Sequence, residues 1–297
     1  MAPKKRESSQ RTRNPDTSKE PMSSQTLPTV KSGQVWRARW DDVLTLVFID
    51  TVLCEFANRV RVAPVTLGDQ DADDTAVILS ADASDLNVPL SVWPEMVTEI
   101  SEIVLERWIA AVGDFDSLEA LERAASEGDI LRGLPILNDL SPRLEERRLL
   151  ELAMGVLASA AQIAGGTGEL SAMVADIPTS ELAVALDVLP ALARSIKRAR
   201  ALIVYAQAER LAPLLRISVH DVLHANPNPP ATLLELASRL ERGPGVRALA
   251  KARRETDSDA YLDMVQGAWG LAARGDKAEA EDWNGRLDTY LQVALAS

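Results

Sequence analysis

The chain has 297 residues with 32 basic and 44 acidic side chains, a formal charge of −12. That length allows about two domains of roughly 100 to 200 residues each and an ample hydrophobic core. With 46% apolar and 26% charged residues, and no apolar run near the ~18 residues of a membrane span, the composition excludes a membrane protein and a wholly disordered chain. A uniform −12 would also argue against a nucleic-acid partner, because like charge repels a phosphate backbone, so the distribution of the charge matters more than its sum.

Residues 1–33 hold seven basic side chains against three acidic ones and few apolar groups, which predicts a disordered basic tail. The tail has no apolar stretch of the kind a secretory signal needs. Cys54, the single cysteine, lies in the apolar run Val52-Leu53-Cys54 and cannot form an intramolecular disulfide. A core position in a cytoplasmic, reducing compartment is expected.

Residues 34–128 form a strongly acidic segment, with 6 basic against 19 acidic side chains. In it Val35, Arg37 and Arg39 alternate with Trp36, Ala38 and Trp40, and apolar runs follow at Val43 to Leu53, Arg59 to Val65 and Thr75 to Leu79. Short strands without helical spacers predict a small antiparallel barrel, so the fold class expected is α+β, a β-barrel domain followed by an all-α domain. From Trp93 the spacing of Val97, Ile100, Val104 and Trp108 predicts a helix, and Ser117 offers a cap for another beginning at Leu118.

Residues 129–167 read as a linker and one helix, from Leu144 to Ala164. Residues 168–225 contain a basic island in which Arg194, Lys197, Arg198, Arg200, Arg210 and Arg216 face Glu209 alone. Asn226-Pro227-Asn228-Pro229-Pro230 predicts a rigid connector into a C-terminal helical subdomain, 226–297. Its last two helices, Ala260 to Ala273 and Ala278 to Ala296, are expected to form an antiparallel hairpin about Arg274-Gly275-Asp276.

The most informative stretch is Thr179-Ser180-Glu181-Leu182-Ala183-Val184-Ala185-Leu186-Asp187-Val188, which continues through Leu189 to Arg200 and then Glu209-Arg210-Leu211-Ala212 to Ile217-Ser218-Val219 and Val222-Leu223. Leu182, Ala183 and Leu186 make an apolar stripe with a small residue for close helix contact, and Ala193 and Ile196 are spaced to pack against it. Asp187 occupies a turn position that calls for positive φ, which Asp tolerates better than most residues. These residues resemble, over about 168–225, a helix-turn-helix regulator of the Cro/cI type, also called xenobiotic-response-element-like.

The resemblance implies that Leu189 to Arg198 enters the major groove of double-stranded DNA. It places Pro190, Ala191, Arg194 and Ser195 toward the bases, and Thr179, Lys197, Arg198 and Arg200 toward the phosphates. It also implies a homodimer on two-fold half-sites. Leu233, Leu236, Leu240, Val265, Trp269, Trp283, Leu287 and Leu291 would supply either the dimer or effector interface or simply the core of the C-terminal subdomain.

Over about 33–113, Gly33-Gln34-Val35-Trp36, Val62-Ala63-Pro64-Val65-Thr66 and Asn87-Val88-Pro89-Leu90 resemble an SH3-like barrel of the PemK/MazF toxins, which cleave RNA. Thr66 matches one position that family uses. Asp41-Asp42 stands where its arginine is expected, and catalysis of phosphoryl transfer needs positive charge. The acidity instead suits a protein partner. Arg37, Arg39, Arg59 and Arg61 form either a binding patch or a set of ordinary surface pairs.

His220 and His224 with Asp221 lack the further ligands of a zinc site. Asp69 to Asp74 departs from a calcium loop at the positions that require Gly and Glu, and Gly165-Gly166-Thr167-Gly168 lacks the lysine of a phosphate loop. No catalytic residue, metal or cofactor is therefore expected. The sequence reads as a bacterial or phage-like DNA-binding repressor, with an antitoxin-like interaction subunit and a ribonuclease as rivals.

Overall fold

The computed structural model describes residues 28–53, 58–136, 141–163, 165–272 and 282–296. Cys54, residues 1–27 of the basic tail and the Arg274-Gly275-Asp276 turn lie outside the described residues. The N-terminal part is an antiparallel sheet and the C-terminal part is helical, so the chain is α+β.

Three long strands carry the sheet: β1 (Gln34–Trp40), β2 (Val43–Leu53) and β3 (Arg59–Leu67). The alternation expected for β1 holds, with Trp36, Ala38 and Trp40 buried on one face. The sheet continues with β4 (Val77–Leu79), β5 (Leu90–Val92), β6 (Thr98–Ser101) and β7 (Leu105–Ala111). Helix α1 (Leu118–Glu127) follows, its first turn accepted by the Ser117 hydroxyl as expected. A two-residue strand, β8 (Leu131–Arg132), then pairs with β4.

Two expectations are corrected here. The sheet does not close into a barrel: its order is β7-β1-β2-β3-β5-β4-β8, with β6 branching from β3. β3 divides one edge between β6, at Arg59 to Val62, and β5, at Val65 to Leu67, so the sheet forks instead of curling round on itself. The helix expected through Val97 to Trp108 is instead β6, a short 3-10 turn at Glu102–Val104, and β7. Register shifts at Val35/Trp36 and Arg37/Ala38, where β1 meets β7, erase the two-residue period that would have marked β7 as a strand.

The helices are α2 (Pro142–Ser159), α3 (Leu170–Met173), α4 (Thr179–Leu186), α5 (Pro190–Lys197), α6 (Tyr205–Leu215) and α7 (Val219–His224), followed by α8 (Ala231–Ala237), α9 (Gly243–Arg253), α10 (Asp257–Ala272) and α11 (Trp283–Ala296). None of the helices in the described residues is long and apolar enough to cross a membrane.

The cores do not follow the order of the chain. One continuous core joins a face of the sheet (Trp36, Val47, Ile49, Val60, Val62, Ile100) to α2 (Met154, Leu157) and to α8 through α11 (Leu233, Val246, Leu249, Tyr261, Val265, Leu287). A second core, from Leu170 to Ala225, belongs to α3–α7 alone. Leu233, Leu240, Val265, Leu287 and Leu291 are buried in the first core, and Leu236, Trp269 and Trp283 are partly buried against it, so this set takes the core role expected of it.

The unit α3–α7 is thus an insertion, and its two connectors run side by side. Thr167 and Gly168 donate backbone hydrogen bonds to the carbonyls of His224 (2.7 Å) and Asn226 (3.0 Å), and Leu170 donates to that of Ala225 (2.8 Å). Gly166 allows this approach, because a Cβ there would lie 2.2 Å from the His224 carbonyl oxygen. Asn226, buried, uses its side-chain amide to accept from the Ile203 N–H and donate to the Ile203 carbonyl, which ties the α5–α6 loop to the same neck.

Candidate nucleic-acid interface

In α4 the side chains of Leu182, Ala183 and Leu186 are buried, and Ala193 and Ile196 of α5 are buried in the same core, as their spacing predicts. Asp187 ends α4 in the left-handed conformation at φ 55°, and the N–H of Val188 returns to the Ala183 carbonyl at 2.9 Å. Arg210 of α6 clasps this turn, donating to the Leu186 carbonyl and pairing with Asp187, both at 3.2 Å. Pro190 begins α5, where its missing N–H costs nothing.

The residues expected to meet DNA divide into two groups. Pro190, Ala191, Arg194, Arg198 and Arg200 are exposed, and Thr179 and Ser195 are half-exposed. Ser195 donates to the Ala191 carbonyl at 3.2 Å, and the Arg194 Nε makes a long bond of 3.3 Å to the Pro190 carbonyl. Arg198 and Arg200 pair with no carboxylate among the described residues. Lys197 is different: its ammonium donates to the carbonyls of Ala175 (2.8 Å) and Ile177 (2.6 Å), fastening the α3–α4 loop to α5.

One feature of the surroundings is invisible in the sequence. Ala191, Arg194, Ser195 and Arg198, which share a face at i, i+3, i+4 and i+7, line a cleft of about 590 Å³ whose opposite wall is α10 and α11. Gln266, Gly267 and Gly270 of α10 and Tyr290 of α11 face it. Asp263, the only carboxylate on the cleft among the described residues, already accepts from the Tyr290 hydroxyl and pairs with Arg253. Burial and that carboxylate push the Tyr290 hydroxyl up to about 12, so it remains a donor at neutral pH.

The other candidates take structural roles. Arg37 and Arg39 pair with Glu106, Arg59 with Glu99 and Arg61 with Asp50. Asp41 accepts from the backbone and hydroxyl of Ser258, joining the β1–β2 turn to α10. Thr66 lies on a cleft with Asp69, Asp71 and Glu146 and, among the described residues, no cation. Asp73 is fully buried, accepts from Thr75 and pairs with Arg147 at 3.1 Å, so the Asp69 to Asp74 loop is stapled to α2. Asp221 caps α7 through Ser218, whose hydroxyl and backbone N–H hold its carboxyl below the usual value. No cluster of three or more possible metal ligands occurs among the described residues.

Compared with protein-family models, with curated proteins and with solved structures, the chain gives no significant match in any of the three.

Proposed function

We propose that the protein is a DNA-binding transcriptional regulator of repressor type, in which α4, the Asp187 turn and α5 act as a helix-turn-helix on duplex DNA. The observation that carries this reading is the exposed, carboxylate-free set Arg194, Arg198 and Arg200 at α5, in a chain whose net charge is −12. Arg194 and Ser195 suit base edges, Pro190 and Ala191 suit at most a thymine methyl, and Arg198, Arg200 and Thr179 suit phosphates. Lys197 positions the helix from behind and is not assigned a phosphate. A homodimer on paired half-sites accompanies this reading.

The test is a salt titration of duplex binding by the full chain. Arg198→Ala/Arg200→Ala is expected to weaken binding across all sequences and to lower the slope of log K against log salt by about 1.8, close to 0.9 for each phosphate left without its arginine. An unchanged slope would remove α5 from the interface.

A second reading, an interaction subunit that uses the inserted helices as a scaffold, is favoured by one observation. The strands flanking a major groove need room on both sides of an inserted helix, and α10 and α11 stand across the cleft from α5. Duplex binding through α5 therefore requires the inserted unit to turn about its neck.

A further inference from the structure

The cleft between α5 and α10–α11 has the dimensions and chemistry of a small-molecule site. Its volume, about 590 Å³, falls within the roughly 300–1,000 Å³ of ligand pockets. One wall brings three guanidinium groups, Arg194, Arg198 and Arg200, against a single carboxylate among the described residues, Asp263, that is already neutralised by Arg253. Guanidinium groups bind phosphate oxygens through paired, charge-assisted hydrogen bonds. The opposite wall is uncharged beyond Asp263, with Gln266, Leu271, the Tyr290 ring against Gly267, and Gly270, at which an added Cβ would meet nothing within 4 Å.

From this pairing of a cationic wall with one that offers Leu271, the Tyr290 ring and open space at Gly270, we propose that the cleft binds a small phosphate-bearing aromatic molecule of nucleotide size. Its phosphate lies on Arg198 and Arg200, and its ring lies against the Gly270 side of α10. Arg198 and Arg200 are shared with the proposed DNA-contacting face, so the ligand competes with duplex. This regulatory consequence rests on the DNA reading, whereas the binding itself does not.

Calorimetry on the full chain with adenosine 5′-monophosphate, adenosine and inorganic phosphate tests it. The monophosphate is expected to bind one per chain and at least about tenfold tighter than either fragment, a gap of about 1.4 kcal/mol. Gly270→Leu fills the cleft from the far wall without touching α5, and should cost at least tenfold in monophosphate affinity while leaving duplex binding intact. Arg198→Ala/Arg200→Ala should weaken both.

Monophosphate binding no tighter than that of adenosine, or unaffected by Gly270→Leu, overturns the proposal whatever the DNA result. Monophosphate binding that depends on Gly270 in a chain that binds no duplex supports the cleft and removes the DNA reading.

Discussion

Asp187 shows how far one residue can be read and where the reading stops. A turn after an apolar stripe calls for positive φ, Asp is among the few side chains that accept it, and the structure has it there at φ 55°. Its pairing with Arg210, 23 positions away, could not be read, because nothing in the spacing aligns α6 with that turn. Asp187→Val should destabilise the inserted unit by about 1–2 kcal/mol, because a β-branched side chain crowds the left-handed backbone that Asp tolerates. Asp187→Gly should lie within about 1 kcal/mol of wild type, since it relieves the backbone and loses one exposed pair. Urea denaturation of both variants measures the difference.

Among the secondary elements, the strands marked by alternation, as in β1, or by a long apolar run, as in β2 and β3, were legible, and the irregularities within and between them were not. β2 illustrates both. Its apolar run marks a strand, yet Asp50 falls in a shift of register between Ile49 and Thr51, buried, where it accepts from the backbone N–H of Leu118 at 2.8 Å and pairs with Arg61 at 3.2 Å. The irregularity thus turns a carboxylate toward the start of α1. Asp50→Ala should cost roughly 1.5–3 kcal/mol, the usual worth of a hydrogen bond to a charged group, seen as a lowered midpoint in denaturant.

The seam between β1 and α10 gives a pH signature. Asp257 is buried, and desolvation is the main cause of its raised carboxyl pKa, with Arg39 opposing it. A raised value means that the folded chain keeps a proton the unfolded chain has released. Stability contributed here therefore falls as pH rises from the ordinary 3.8 through the raised value. Asn at this position still accepts from the Asp41 N–H and carries no charge. Asp257→Asn should gain stability relative to wild type across that interval, and its melting temperature followed against pH would show whether it does.

On the scale of the whole molecule, the separation of the inserted unit's core from the core shared by sheet and helices predicts two unfolding events. Leu249 contributes to the core shared by sheet and helices, and Leu182 to the core of the inserted unit. Each change to Ala should cost roughly 2–5 kcal/mol. Leu182→Ala should shift only the transition of α3–α7, and Leu249→Ala should shift the transition that sheet and C-terminal helices share. A single transition moved equally by both would show that the neck at Gly166 and Asn226 couples the cores fully. Excising residues 34–128 would strip the apolar faces of α8–α11, so the role of the acidic segment is better probed by changing its charges than by removing it.

By itself the sequence determined the α+β class, the three long strands, the Ser117 cap, the Asp187 turn and the helices of the basic island, because each of these is set by periodicity, turn chemistry and charge within a short span. Only the tertiary structure decided that the sheet forks without closing, that α8–α11 belong to the sheet's core, and that Lys197 is spent on backbone carbonyls while Arg194, Arg198 and Arg200 open onto a cleft. The physical reason is that an apolar face states how much surface must be buried but not against what, and a cation states its charge but not its partner. Those choices are made between segments far apart in the chain, by how their surfaces fit.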